Sequence, residues 1–248
     1  MPAYEERNYR KRINAPDLVF FHIVVKETDL WISADKELEK EATDLAFDCR
    51  AQIESYIRSH SRFSTTLLPC DEDSFAPRLL RKMIHVTRRV GVGPMAAVAG
   101  AIAQYVGEGL LKFTGQVIVE NGGDIFLKAD RPVTVSLLAG KSPLSGQLGI
   151  LIPEGNMPIG ICSSSATVGH SLSMGIADLA CLLSPLAALA DAAATAVGNR
   201  IKSKDDLQDA ASWAGNIDGI TGGVLIAGDR MAAWGDIELV EMKNSEVI

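Results

Sequence analysis

Leu183-Ser184-Pro185-Leu186-Ala187-Ala188-Leu189-Ala190-Asp191-Ala192-Ala193-Ala194-Thr195-Ala196-Val197-Gly198-Asn199-Arg200-Ile201 is the stretch from which the fold is read. It predicts one alanine-rich helix over 185–201, with Pro185 in its first turn and Ser184 as N-cap. Inside it, Asp191 and Thr195 stand four residues apart, which puts a carboxylate and a hydroxyl on one helix face. Nearly everything around them is Ala or Leu, so other backbone can come close. A carboxylate is costly to bury without a partner. Two partners answer that cost. Neighbouring backbone can hydrogen-bond to both side chains and fix the packing. Alternatively a hard, oxygen-seeking cation such as Mg²⁺ or Ca²⁺ can sit between them.

A second alanine-rich helix is expected over 94–110, entered through the turn Gly91-Val92-Gly93-Pro94. Residues 94–108 and 185–199 are identical at eight of fifteen positions without a gap. Each helix is followed by a strand that runs into Gly-Asp, at Gly123-Asp124 and at Gly228-Asp229. This reads as an internal duplication of one domain, with halves near 18–140 and 141–241. In that alignment Asp191 replaces Gly100 and Thr195 replaces Gln104, so one of two matching scaffolds carries the polar pair.

The remaining pattern is mixed. Residues 18–34 read as two strands joined at Glu27-Thr28-Asp29. Residues 36–60 switch to helical period, and a short helix is expected over 77–89. Strands are expected at 116–120, 124–128, 133–139, 147–152 and 158–162, and another before the Asp191 helix. A polar helix at about 204–214 and strands near 222–228 and 236–241 close the chain. The fold class is therefore α+β.

Composition narrows the function. The chain has 248 residues and a net charge of -7; its two basic clusters, Arg7, Arg10, Lys11 and Arg12 and then Arg81, Lys82, Arg88 and Arg89, read as solvated tail or helix faces rather than a phosphate-neutralising site, so nucleic acid is not an expected partner. The four cysteines form no C-x-x-C pair, which leaves zinc and dithiol chemistry unsupported. Residues 176–198 are apolar, but they contain Asp178, Pro185 and Asp191, so a strand and a buried helix are expected there rather than a membrane span. The charged opening from Tyr4 to Arg12 does not resemble a signal peptide, and a cytoplasmic location is the expectation.

Three turns hold further candidates. The helix start after Gly93 offers free N–H groups, although Pro94 removes one donor. Glu120-Asn121-Gly122-Gly123-Asp124 carries the Asn-Gly signal of a hairpin. Its bare backbone also admits a flat ligand, which Glu120, Asn121 or Asp124 would bind. Residues 162–171 contain Ser163, Ser164, Ser165, Thr167, His170 and Ser171. A loop so dense in donors suits anions or sugar hydroxyls, with His170 as a candidate general base.

In order along the chain, Glu27-Thr28-Asp29-Leu30, the 91–100 turn and helix, Val119 to Ile125, the serine segment 162–175 and Ala190 to Ala196 together resemble the uncharacterised, thiamine-biosynthesis-associated ApbE-like proteins. The resemblance covers almost the whole chain. More distantly the chain is similar to the ApbE flavin transferases, which bind FAD and use Mg²⁺ to move its FMN portion onto a protein threonine. The resemblance implies a duplicated T-fold-like sheet with helices packed on one face. It implies Asp191 and Thr195 as metal ligands. It aligns Asn121 to Asp124 with the transferases' Asn-x-Gly-Gly-Asp turn and His170 with a histidine ahead of the metal helix; the aspartate of that transferase segment has no counterpart here. The expected activity is Mg²⁺-dependent chemistry on FAD or a related flavin nucleotide, either FMN transfer or pyrophosphate cleavage, in a protein that forms a homodimer. The rival expectations are a non-catalytic flavin or pterin binder and an oligomeric assembly subunit.

Overall fold

The computed structural model describes residues 17–166 and 175–242. The chain opens with a hairpin, β1 (Val19–Val25) and β2 (Thr28–Ala34), followed by the long helix α1 (Glu39–Ser59), α2 (Arg78–Val90) and α3 (Val98–Leu110). A second hairpin, β3 (Val117–Asn121) and β4 (Asp124–Lys128), leads into β5 (Val133–Ser136) and β6 (Leu148–Ile152). Then come β7 (Ile159–Ser164), β8 (Leu179–Ser184), α4 (Ala187–Gly198) and α5 (Leu207–Gly215). The strands β9 (Gly222–Ala227), β10 (Arg230–Gly235) and β11 (Glu238–Glu241) follow.

Eight strands form one antiparallel sheet in the order β1-β2-β3-β4-β7-β8-β9-β10. The helices lie on one face of it. Leu30, Ile32, Val119, Phe126, Leu182 and Leu225 face them in one apolar cluster. Close approach is achieved by leaving out side chains: a Cβ on Gly107 of α3 would stand 2.1 Å from the Phe126 ring, and one on Gly160 of β7 would stand 2.3 Å from the Ala187 Cα. The alanine-rich composition of α3 and α4 serves this same packing.

The opposite face is also covered, which the sequence reading did not anticipate. A three-stranded sheet, β11-β6-β5, lies there. Ile150, Ile152 and Val135 pack with Ile118, Leu127, Ile161, Leu183 and Val224 in a second core. This explains why β8 and β9 are buried at every position, whereas the edge strand β1 alternates. A strand covered on both faces reads as an unbroken apolar run.

Several boundaries differ from expectation. Ser184 is not the N-cap of α4. It ends β8, fully buried, and its hydroxyl accepts from the Leu186 N–H at 3.0 Å. The helix starts only at Ala187 because Pro185 must first turn the chain out of the sheet, and it ends at Gly198. Residues 94–97 form a 3-10 turn ahead of α3. Strand β10 was not expected; Met231, Ala232, Ala233 and Trp234 are consecutive apolar residues, so this edge strand lacks the alternation that would mark it. Cys162, Ser163 and Ser164 belong to β7 rather than to a loop.

Candidate functional site

The hairpin β3–β4 turns through Asn121-Gly122-Gly123-Asp124, with Asn121 and Asp124 paired. Gly122 and Gly123 have φ of 67° and 107°, so the turn needs glycine for its backbone. No atom lies within 4 Å of where a Gly123 Cβ would be, so crowding is not the reason. Because side chains alternate along a strand, the turn sorts its polar groups by face. Asn121 and Asp124 share the helix side with Val119 and Phe126. Glu120 lies opposite Ile125, on the side of the second core, and its Oε1 accepts from the Gly123 N–H at 2.7 Å.

On the helix side, the Asn121 side-chain amide donates to the Ala99 carbonyl at 3.1 Å, which ties the turn to the first turn of α3. Asp191 reaches the same place from α4. Its Oδ2 accepts from the Gly100 N–H at 2.9 Å, and the Ala99 N–H also bonds to its carboxylate. These amides are ones that an N-cap side chain serves in other helices, and Ala97 at the cap position has none to offer. The positive end of the α3 dipole favours the carboxylate there. The anion site expected at this helix start is thus filled by the protein's own acid.

The reverse contact also exists. Gln104 of α3, 5% exposed, accepts the Ala187 N–H of α4 on its Oε1 at 3.0 Å and donates to Glu108 at 2.6 Å. In the sequence Gln104 is marked only as the counterpart of Thr195; its other signal is a long polar side chain among small apolar residues of α3.

Asp124 stands within electrostatic reach of Asp191 and is buried. Burial, then the Asp191 charge, hold its carboxyl well above the usual range, opposed by bonds from the Cys162 thiol and the Ser163 N–H, the latter at 3.2 Å. Burial likewise pushes Asp191 up to about 7, against the two amides that favour its anion. The Cys162 thiol sits between Asp124 and the Ala187 carbonyl, which it meets at 3.3 Å. Burial and the neighbouring acids keep it protonated.

The structure therefore gathers Asn121, Asp124, Cys162 and Asp191, with Thr195 half-buried one turn along α4. Ser164, also on the helix side, has its hydroxyl 4.0 Å from where a Gly198 Cβ would be. Glu120 is not part of this group. Ser163 contributes its backbone, while its hydroxyl faces the other way and bonds to Cys181. Ser165 follows the end of β7, half-buried. Thr167 and His170 lie outside the described residues.

Residues 10–216 match the family described as AbpE bacteria, so this sheet-and-helix protein belongs to that family. The chain is 41% identical over 212 residues to a UPF0280 protein of Methanocella arvoryzae, covering 85% of this chain and 86% of the relative. It is 37% identical over 226 residues to one from Methanocaldococcus jannaschii, covering 88% and 92%. Among solved structures it resembles the flavinyl transferase ApbE of Pseudomonas stutzeri in its apo form, with a TM-score of 0.58, 11% identity and coverage of 88% and 94%. It also resembles the flavin transferase ApbE of Vibrio cholerae, with a TM-score of 0.55, 11% identity and coverage of 88% and 96%. These likenesses show a shared fold. Among the described residues no single helix is long and apolar enough to cross a membrane.

Proposed function

We propose that the protein acts on FAD or a related flavin nucleotide with Mg²⁺ as cofactor, by FMN transfer or pyrophosphate cleavage. The observation that carries this reading is the pair of buried Asp124 and half-buried Asp191, two carboxylates whose strongest neighbours include no basic group. A divalent cation would relieve both acids, and every donor at hand is an oxygen that Mg²⁺ accepts. Among the described residues no three His, Cys, Asp or Glu side chains are arranged to hold a metal ion between them. Asp191 and the Thr195 hydroxyl would therefore hold the ion with water completing its shell, and Asp124 would face it. When bound, the ion supplies charge stabilisation for a departing phosphate oxygen. Asn121, Gly122, Gly123, Asp124 and the hydroxyls of Ser164, Ser165 and Thr167 would orient the nucleotide; Glu120 and Ser163 would act through the turn and strand they fix. His170 is proposed as general base.

The likeness to ApbE transferases supports the flavin class. The strand order supports the proposed duplication, since β1–β4 and β7–β10 are each two hairpins separated by helices. The matching alanine-rich helices hold different places in those blocks, α3 before a hairpin and α4 after one. A cytoplasmic homodimer is part of the same proposal.

One observation favours a second reading: the Asp191 carboxylate is already held by the α3 amides. On that reading the site binds a flavin or pterin ring without turnover. The experiment is a thermal melt with FAD and Mg²⁺, followed by chromatography of the mixture. A rise in Tm that Asp191→Asn abolishes, together with AMP or FMN release, supports the enzyme. A rise that survives chelation without release supports the binder. No rise at millimolar ligand overturns both.

A further inference from the structure

The most exposed large apolar side chains lie far from the Asp124–Asp191 pair in sequence, in the connection ahead of α2. Leu68 is 71% exposed, Phe75 is 98% exposed, and Leu67 beside them is 59% exposed. Such exposure costs solubility unless something covers it. The connection is also pinned in place. The Thr66 hydroxyl bonds to the Leu68 backbone at 3.0 and 3.1 Å, Asp73 accepts the Phe75 N–H at 2.9 Å and the Tyr56 hydroxyl at 3.0 Å, and Arg88 donates to the Cys70 carbonyl at 3.0 Å. The apolar tips are held outward on a built scaffold.

Beside them, α2 turns a basic stripe to solvent. Arg78, Arg81, Lys82, His85, Arg88 and Arg89 recur at helical spacing opposite its buried face. Asp71 and Glu72 of the connection reach Arg88 at 3.4 Å and His85 at 3.5 Å, so connection and stripe form one continuous surface. Among the described residues Arg78 and Arg81 have no ion-pair partner. Residues 55–100 contain seven Arg and Lys against three Asp and Glu, a net +4 in a chain of -7, so the rest carries -11. An island of positive charge on an acidic molecule attracts an acidic partner there and repels it elsewhere, which fixes orientation as well as affinity.

We propose that Leu67, Leu68 and Phe75 with the α2 stripe form a docking surface for an acidic protein segment that carries apolar side chains. A protein segment is favoured over an anionic membrane because Asp71 and Glu72 stand exposed beside the apolar tips, paired with Arg88 and His85. A peptide can set its acids singly over Arg78 and Arg81 and its apolar side chains over Leu68 and Phe75, whereas a lipid headgroup layer would lay uniform negative charge over those two acids as well. A duplex nucleic acid offers nothing to Leu68. The site is independent of the flavin chemistry proposed above.

The probe is a fluorescent synthetic peptide of alternating Glu and Leu, titrated by anisotropy against the full chain at low and physiological salt. A Lys–Leu peptide, vesicles rich in phosphatidylglycerol and a DNA duplex serve as comparisons. The acidic peptide should bind, more weakly as salt rises. The paired substitutions Leu68→Ser with Phe75→Ser, and separately Arg78→Glu with Arg81→Glu, should each weaken it about tenfold or more at unchanged melting temperature. These side chains are exposed, so the fold tolerates their loss. Binding that ignores the apolar pair is mere charge attraction and overturns the proposal. So does equal or tighter binding of vesicles or DNA, or no binding at all. A self-association in sedimentation that Arg78→Glu disrupts would reassign the surface to a second copy of the chain and likewise overturn it.

Discussion

The first turns of α3 and α4 face each other, and each is served by a side chain from the other helix. The α3 amides are held by Asp191, an acid; the α4 amide at Ala187 is held by Gln104, a neutral amide. Gln104 does for α4 what any buried hydrogen bond does and nothing more. Asp191 does the same job with a group that must give up most of its hydration to do it. A molecule needing only a cap at α3 has a cheaper solution, and it shows that solution at α4. The acid at α3 is therefore the asymmetric element of the helix pair, and the proposed metal chemistry is attached to it.

That contrast can be broken most severely at Gly100. A Cβ there would stand 2.5 Å from the Ala187 carbonyl oxygen and 2.9 Å from the Asp191 Cβ. Gly100→Ala should force α3 and α4 apart and cost about 3 kcal/mol in urea denaturation, more than either cap alone. Next in size is Gln104→Leu, which leaves the buried Ala187 N–H without its acceptor. It should cost about 2 kcal/mol, with little change between pH 5 and pH 8, because neither the Ala187 N–H nor the Gln104 amide titrates.

The smallest effect separates the two caps by pH. Asp191 has its carboxyl raised, so the native state holds its proton more tightly than the unfolded chain does. Its contribution to stability is fully present below the unfolded value near 3.8 and is lost as pH rises through about 7. In metal-free buffer the native protein should lose about 1–2 kcal/mol of this contribution between those limits, a figure held down by the partial exposure of Asp191. Asp191→Asn keeps an acceptor for Gly100 and should flatten that slope. A slope unchanged in Asp191→Asn would assign the titration to Asp124 instead.

Much of the fold was legible because the chain follows local rules. The strands at 19–34 alternate, the α1 stripe has helical period, and Asn121-Gly122-Gly123 marks its hairpin with residues that tolerate positive φ. The second sheet was not legible as a layer. Its strands were partly marked, but pairing of β6 with β11 joins residues about ninety positions apart, and no local pattern encodes a partner. A cue did exist in the apolar runs Leu179 to Leu183 of β8 and Val224 to Ala227 of β9, which alternation on a one-faced sheet would not produce. Ser184 misled because serine before an alanine run is a strong cap signal; here the backbone needed two more residues to leave the sheet. At the site, the resemblance singled out Asp191 and the Asn121 turn as separate motifs, and the fold brings them to the same end of α3. The amides that hold Asp191 were not singled out, since they belong to a helix ninety residues away and carry no side-chain signature.

The layer beneath the sheet has a consequence for how the chain is made. Strand β6 sits between β5 and β11, and β11 is the last strand among the described residues. Until the ribosome has released Glu238–Glu241, one flank of β6 offers bare backbone beside Ile150, and the underside of the large sheet lacks part of its roof. A nascent chain stalled before Glu238 would carry every other described helix and strand and still be a substrate for chaperones, because β6 would lack the partner that closes its flank.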